Sequence, residues 1–554
     1  MSAVTGRRLK SVAASAALTA TSLIMCLLLI RTTGITYDEP SSLAFSWAYW
    51  NDGPPNGVIE YPPVISYLRG AALMAAGAGP PPIPSQLDRA SLDPHAYGQF
   101  FLFYNRVPPE RLLFWGRAVG LVLLGLLLVA VRLWGGLFAL AFAALDPNLL
   151  AHASLATSDL PLTAFFAISL SLWAWTRGSG PSWAAVAAGA VAGLALGSKA
   201  TAALLPIIFV LSEVWSWAIA RHVDRKGLMA VLSAVAACLI VVILAYLPTG
   251  GLKEMFLYRA AQLGDPAPSY LFGRIWPRGH PFYFPAMLAI KTTLPLLMLG
   301  IWGLLDRRFW PKGEHSRRIA LTAAALLLLA AMSVRFQYGV RHVLPLYPLL
   351  ALGAGTAAAE LWRRRGAWRL AAGAALAFHA ASSLASLPHP IAYVNEAFGG
   401  PQNAWHIVGD SNVDWGQALP DLARFIDQNP GGLILSYFGS DCPARLSLDR
   451  QDAFSAPGRC PGSHLLPVKI EREWLAVSVT QFQGFLQYRT APPDWSWLRA
   501  RTPVTVAGHA ILIYDITRDA DAHERLAAMY AAMENREAAA RETTRARIIA
   551  STRQ

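Results

Sequence analysis

Charge is what this sequence has least of. Lys, Arg, Asp and Glu together make 15% of its 554 residues, where a soluble globular chain carries roughly 25%. Acids are scarcer than bases, 34 against 47, so the net charge is +13. A nucleic-acid binder with that net charge would be richer in Lys and Arg and poorer in apolar runs, which excludes that class. Disorder is excluded as well, because 54% of the residues are hydrophobic. No internal repeat is visible, which argues against a transporter built from duplicated halves. There are only four cysteines, and no metal-type Cys/His cluster accompanies them.

The positive charge has a position. Residues 1–387 hold 31 Lys+Arg and 16 Asp+Glu, whereas residues 388–554 hold 16 and 18. The whole excess therefore belongs to the apolar part, as expected when Lys and Arg set membrane topology. That part divides into eleven apolar runs: 11–30, 112–131, 133–149, 160–176, 182–197, 203–220, 228–248, 284–304, 319–334, 343–361 and 370–387. Each is near the length that spans about 30 Å of hydrocarbon. With the N-terminus inside, alternate connections collect 17 basic residues, including Arg307, Arg308, Lys312, Arg317 and Arg318 in one loop. The expected orientation is N-terminus in and C-terminal part out. Counting 61–79 as a further span would reverse every later loop. Its two prolines and Arg69 mark it instead as an interfacial or re-entrant helix within a long outer loop, 31–111. The first span has no clear cleavage site and is read as retained.

Residues 388–518 read as a water-soluble α/β domain. DLARFIDQ (421–428) after Pro420 is a helix start. LILSYFG (433–439), WLAVSVTQF (474–482) and ILIYDIT (511–517) are strands by their β-branched and aromatic content. Residues 519–554 read as a polar helix or a frayed tail. Cys26 and Cys238 lie in spans and serve packing. Cys442 and Cys460 lie together in the outer domain, where an oxidising compartment would bridge them; the alternative is two free thiols.

Candidate chemistry gathers on the outer side. Asp38 and Glu39 follow the first span, where carboxylates near lipid are costly and suggest function; a helix cap near Ser41 is the plain alternative. Asp159 opens the fourth span, and its plain role is an N-cap. Lys199, Lys291, Arg341 and His342 lie at or just inside outer span ends. Snorkelling would explain a single base there. Several, facing lone carboxylates, suit a phosphate. Asp410, Asn412, Asp414, Trp415 and Gln417 form a polar cluster with one aromatic in the outer domain. Sugar or peptide binding is one reading, and a turn network is the other.

EYPPVISYL (60–68), SLATSDLPLTAFF (154–166), GLALGSKAT (193–201), YFPAMLAIKTTLP (283–295) and RHVLPLYP (341–348) follow the acidic pair in one order, and YVNEAFGGPQNAWHIVGDSNVDWGQAL (393–419) comes after them. This ordered set resembles the integral-membrane GT-C glycosyltransferases, in particular the protein O-mannosyltransferase-like group that includes the lipid A aminoarabinose transferases. The resemblance implies an all-α polytopic membrane domain of GT-C type over 1–387, with about eleven transmembrane helices, followed by a small extracytoplasmic α/β domain. It implies a bacterial inner-membrane enzyme that transfers a sugar, with inversion, from a polyprenyl-phosphate donor to an extracytoplasmic protein, lipid or glycan. Asp38 would be the general base, and Glu39 would orient the acceptor or Asp38. Asp159 would hold the acceptor or sugar. Lys199, Lys291 and Arg341, with His342 a lesser candidate, would neutralise the lipid phosphate. No cofactor is required, although a divalent metal is compatible, and no metal ligand is assigned. The bilayer, the lipid-linked donor and the acceptor are the expected partners, with no nucleic acid. The sequence departs from the eukaryotic mannosyltransferases in lacking their inserted carbohydrate-binding domain, since 249–282 is too short to contain one. A lipid or polysaccharide transporter and a non-catalytic membrane scaffold are the competing classes.

Overall fold

The structure is a computed structural model that describes residues 2–51, 53, 61–84, 92–248, 251–253, 257, 267–310, 313–453, 463–484 and 493–552. Among them, five helices are long and apolar enough to cross a membrane: Arg8–Thr32, Pro109–Ala144, Ala200–Ala220, Arg225–Tyr246 and Glu314–Ser333. Their outward faces are apolar. Val122, Leu126, Val129 and Leu133 recur three to four residues apart and are all exposed, which is a lipid-facing stripe on a 3.6-residue helix.

Three expected spans take other forms. The run 133–149 is not one helix. Gly136 adopts φ +83° and breaks the helix there, and a new short helix, Pro147–Ala153, starts behind the Asp146 cap. The run 182–197 is the 14-residue helix Trp183–Leu196, about 21 Å long at 1.5 Å per residue and so short of the hydrocarbon thickness. Gly189 and Gly193 let it pack hard against Arg225–Tyr246. A Cβ on Gly189 would sit 1.9 Å from the Ala234 carbonyl oxygen, the small-residue packing expected where lipid supplies no hydrophobic drive. The run 284–304 is a broken pair, Tyr283–Lys291 and Leu294–Leu305, bent by 120°. Thr292 turns extended and Pro295 opens the second piece. The carbonyls freed at the break are bonded by side chains. Asn148 donates to Lys291 O at 2.7 Å, and Asn395 donates to Ala289 O and Thr292 O at 2.6 and 2.9 Å. Irregular backbone at this depth needs such partners. The ambiguous segment 61–79 holds a 13-residue helix, Pro63–Ala75, seated on Glu39–Ala48 through Gly70.

Beyond an antiparallel pair of short strands, β1 (Ser269–Leu271) and β2 (Arg274–Trp276), the C-terminal part carries a five-stranded sheet of β3 (Gly432–Ser436), β4 (Gln451–Asp452), β5 (Glu473–Ser478), β6 (Thr505–Ala507) and β7 (Ile511–Asp515), in the order β4-β3-β5-β7-β6. β3 runs parallel to β4 and β5, and β7 is antiparallel to β5 and β6. Successive residues face opposite layers. Leu433, Leu435, Trp474, Ala476, Ile511 and Ile513 pack with Leu419 and Leu422 of the helix Leu419–Gln428. Ile434, Leu475, Leu512 and Tyr514 belong to the core that holds Leu526 and Tyr530.

Those last two residues belong to the tail, where the helical alternative holds. Residues 519–554 form the helices Ala520–Ala532 and Arg536–Ser551, which cover the second face of the sheet rather than fraying from it. Buried charges lock them down. Arg541 and Arg545 reach Glu473 of β5 at 2.5 and 3.1 Å, and His523 bonds Glu542 at 2.6 Å. Cys442 is disulfide-bonded, whereas Cys26 and Cys238 are free and buried. Cys460 lies outside the described residues, as do Glu60 and Lys312.

Candidate active site

Where the membrane helices meet the outer domain, a cavity of about 230 Å³ opens. Its polar and charged side chains come from six chain segments. Tyr37 and Asp38 precede the helix Glu39–Ala48, and Arg69 projects from Pro63–Ala75. Asp159 opens the helix Asp159–Gly178, and Lys199 follows Trp183–Leu196. Arg341 and His342 follow Gly339, while Asp410 and Trp415 come from the outer domain.

Two ion pairs cross this space. Arg341 donates to Asp38 at 2.9 Å, bridging residues 303 positions apart. Lys199 donates to Asp159 at 2.5 Å. The Arg341 guanidinium also lies 4.1 Å from the centre of the Trp415 ring, a cation–π contact that fixes its plane. Local backbone explains these positions. Gly339, at φ +147°, brings its Cα so close to Ser411 that a Cβ would lie 2.4 Å from the hydroxyl. Ser411 then donates to Tyr338 O, and Val340 N donates to Asn412 Oδ1 at 2.9 Å. The outer domain thus presents Arg341 to the cavity. It also holds the turn before Asp38: Tyr37 N donates to Trp415 O at 2.8 Å, Ser440 donates to Tyr37 O at 2.7 Å, and the Tyr37 and Phe438 rings stack 5.0 Å apart.

The adjacent acids part company. Asp38 faces the cavity with its side chain one-third exposed. Glu39 is fully buried and does not line it. Arg117 Nε and Nη2 donate to Glu39 at 2.7 and 2.6 Å, and the Thr36 and Ala156 amides each donate at 2.9 Å. Burial alone would raise the Glu39 carboxyl, but Arg117 and those amides hold it below its ordinary value. Its expected role as positioner of Asp38 gives way to an anchor between the outer loop and the helix Pro109–Ala144, because every lone-pair direction already points into protein.

Lys291 is also displaced from its expected role. Its ammonium is buried away from the cavity and donates to Ile391 O and Asn412 O, both at 2.6 Å. It ties the broken membrane helix to the outer domain and does not face a phosphate there. Asp159 is the first residue of its helix, whose N-cap is Ser158, and its carboxylate is turned to Lys199.

The outer-domain cluster divides in the same way. Asn412, Asp414 and Gln417 form the turn network. Asn412 donates to Tyr283 and Gly409 O at 2.9 Å each, Asp414 accepts from the Gly416 and Thr480 amides at 3.1 and 2.8 Å, and Gln417 donates to Val413 O at 2.8 Å. Asp410 and Trp415 line the cavity. Asp410 sits at φ +53°, a left-handed conformation that Asp tolerates better than most residues. Burial pushes its carboxyl up to about 7, against the pull of Arg341. Burial likewise pushes Asp414 up to about 7.

Arg69 was not singled out from the sequence as a site residue. It is buried, lines the cavity and bonds Ser42 Oγ at 2.9 Å and Thr157 O. It makes no ion pair among the described residues. Its signal in the sequence is a lone charge in an apolar helix, a functional pointer by default.

A second cavity, of about 330 Å³, adjoins the first and shares Lys199, Phe336 and His342 with it. Its wall is apolar, formed by Leu204, Phe284, Leu327, Ala330, Ala331 and Val334. Among the described residues, the one His/acid grouping close enough to hold a metal ion is Glu473, His523 and Glu542. It lies in the buried tail network, where Arg541 and Arg545 already supply its positive charge. The cavity carboxylates are not gathered into such a set.

No protein-family model matches the chain, and no curated protein matches it. Among solved structures it is similar to ArnT from Cupriavidus metallidurans. The apo state gives a TM-score of 0.47 at 13% identity, covering 93% of this chain and 98% of that one. ArnT bound to undecaprenyl phosphate gives 0.43 at 13% identity, with 90% and 97% covered. The archaeal oligosaccharyltransferase AglB from Archaeoglobus fulgidus, in complex with an inhibitory peptide and a dolichol-phosphate, gives 0.43 at 13% identity, with 75% and 58% covered.

Proposed function

We propose that this chain is a membrane glycosyltransferase that moves a sugar from a polyprenyl-phosphate carrier to an acceptor hydroxyl on the outer face of a bacterial inner membrane. One observation carries the reading: a polar cavity bearing Asp38, Asp159, Lys199 and Arg341 abuts an apolar cavity, and Lys199 stands at the join. A lipid-linked sugar has that shape, with an apolar chain, then a phosphate, then a polar ring. The chain would lie against Leu204 and Leu327. The phosphate would meet Lys199 and Arg341, with Arg69 behind them.

Asp38 serves as general base. As the acceptor oxygen attacks the anomeric carbon, Asp38 takes its proton. The new C–O bond forms as the bond from that carbon to the phosphate oxygen breaks. The electron pair leaves on the polyprenyl phosphate, where the cations stabilise it. A single displacement inverts the centre. Arg341 pairs with Asp38, and a donor phosphate drawing on the same guanidinium would leave Asp38 more basic. The acceptor class and the sugar follow from cavity shape and are left open.

The test uses purified full-length protein, extracted polyprenyl-phosphate sugar and membrane acceptor fractions. Asp38→Asn is expected to stay folded and lose transfer by about 10²- to 10⁴-fold, the usual span for a general base. Full transfer by that variant overturns the mechanism.

A further inference from the structure

A third cavity lies away from the proposed active site, among the helices Asp159–Gly178, Trp183–Leu196 and Arg225–Tyr246. Its volume is about 990 Å³, at the upper end for small-molecule pockets. Its rim carries Arg177, Arg225 and Lys226, and Val186, Met229 and Ala230 line its wall. Arg177 is occupied, donating to Glu213 at 2.7 Å and to Asp224 at 3.1 Å. Arg225 and Lys226 are exposed and make no ion pair among the described residues.

These two cations are badly placed for the helix that bears them. They occupy its first turn, behind the Asp224 cap, where the helix dipole opposes positive charge. Arg177, Arg225 and Lys226 bring three positive charges against the two negative ones of Glu213 and Asp224, which leaves one in surplus. The free charge therefore calls for an anion from outside the chain. Trp183, on the rim, meets Trp175 edge-on with ring centres 5.4 Å apart, and both are exposed. Paired tryptophans of this kind sit at headgroup level. Below them the apolar wall continues along exposed Met229, Leu232, Leu239 and Ile243, a path for an acyl chain.

We propose that this cavity binds the headgroup of an anionic phospholipid. Arg225 and Lys226 hold the phosphate, and an acyl chain runs down the outer face of Arg225–Tyr246. The positive-inside pattern of the sequence assigns the site to the cytoplasmic leaflet. The proposal is independent of the sugar-transfer reading, since none of these residues lines the cavities near Asp38.

The test is native mass spectrometry of the full-length protein in mild detergent, titrated with phosphatidylglycerol, phosphatidylcholine or glycerol phosphate. Phosphatidylglycerol should bind saturably, and phosphatidylcholine at least tenfold more weakly. At about fivefold per basic residue near an anionic lipid surface, Arg225→Gln/Lys226→Gln should weaken phosphatidylglycerol by about 25-fold. Both side chains are exposed, so the double variant should elute and unfold as the parent does. Arg363→Gln/Arg365→Gln, at a different basic cluster, should leave that affinity unchanged. Equal loss in both doubles would make the effect bulk charge and overturn the site. Undiminished binding in the first double, equal binding of phosphatidylcholine, or free glycerol phosphate bound as tightly as phosphatidylglycerol would each overturn it as well.

Discussion

The neighbouring acids Asp38 and Glu39 offer the sharpest test, because the structure gives them opposite duties. Consider Glu39→Gln. The amide keeps the side-chain volume but loses the charge opposite Arg117. That arginine is buried and also donates to Ile30 O, Thr33 O and Gly34 O at 2.8 to 2.9 Å. Three carbonyls solvate part of the guanidinium, but its counter-charge is gone. Removing one partner of a buried pair costs about 3–5 kcal/mol, and the two amides that donate to Glu39 would have to share one oxygen. The variant should unfold at a clearly lower temperature in detergent, and transfer activity should fall with the folded fraction. Asp38→Asn keeps an oxygen for Arg341, and that arginine, 14% exposed, retains the Trp415 face and the nearby charges of Asp159 and Asp410, so the loss should be about 1 kcal/mol. Its melting curve should match the parent within that margin while transfer vanishes. Thermal unfolding followed by intrinsic fluorescence, run beside a transfer assay on the same samples, separates the outcomes. A stable, inactive Glu39→Gln, or an unfolded Asp38→Asn, would refute the division of roles.

Other expectations follow from the same geometry. Lys291→Met should destabilise the protein by about 1–3 kcal/mol for each carbonyl it orphans, while the donor KM of the folded fraction stays at the parent value; a donor KM raised tenfold would return Lys291 to the phosphate. Asp410 and Asp414, both near 7 when folded, hold protons that the unfolded chain releases near 4. Each therefore makes stability fall as pH rises from about 4 to 7, by about 4 kcal/mol at most, and adds nothing beyond 7; Asp410→Asn should remove its share of that slope in chemical-denaturation curves. Deleting 519–554 strips Leu526 and Tyr530 from the sheet and leaves Glu473 buried without Arg541 and Arg545, so the truncated chain should be protease-sensitive across 432–515; a protease-resistant sheet would refute the tail's structural role. Single cysteines at exposed sites beside Asp38, Asp159 and the outer domain should all react with an impermeant maleimide added from outside; protection of the Asp159 position alone would break the site.

Much of this molecule is legible locally. A run of apolar residues declares a helix in lipid because each residue's transfer free energy is its own, whatever it later touches. The long helices Arg8–Thr32, Ala200–Ala220 and Arg225–Tyr246 are readable for that reason, as are the strands near 433, 474 and 511. The breaks were less so. Thr292-Thr293 interrupts a hydrophobic run that composition alone cannot distinguish from a continuous helix, and the partners that make the break tolerable, Asn148 and Asn395, lie more than 100 positions away on either side. The tail's docking on the sheet is hard to read in the sequence because its buried face is small: a few apolar contacts and a set of paired charges seat it, and paired charges look like solvated ones in a sequence.

The sequence by itself determined the apolar spans, the side on which the positive charge collects, and the short roll of acids and bases set against an apolar background. Tertiary structure alone decided which of them work together. Adjacent residues on a helix diverge by about 100°, so Asp38 and Glu39 end up in the cavity and in the protein interior. Lys199 and Lys291 look alike in sequence, yet one stands at a cavity and the other fastens two domains. Pairing is a property of distance in space, and Asp38 meets Arg341 only after 303 positions of chain have folded between them.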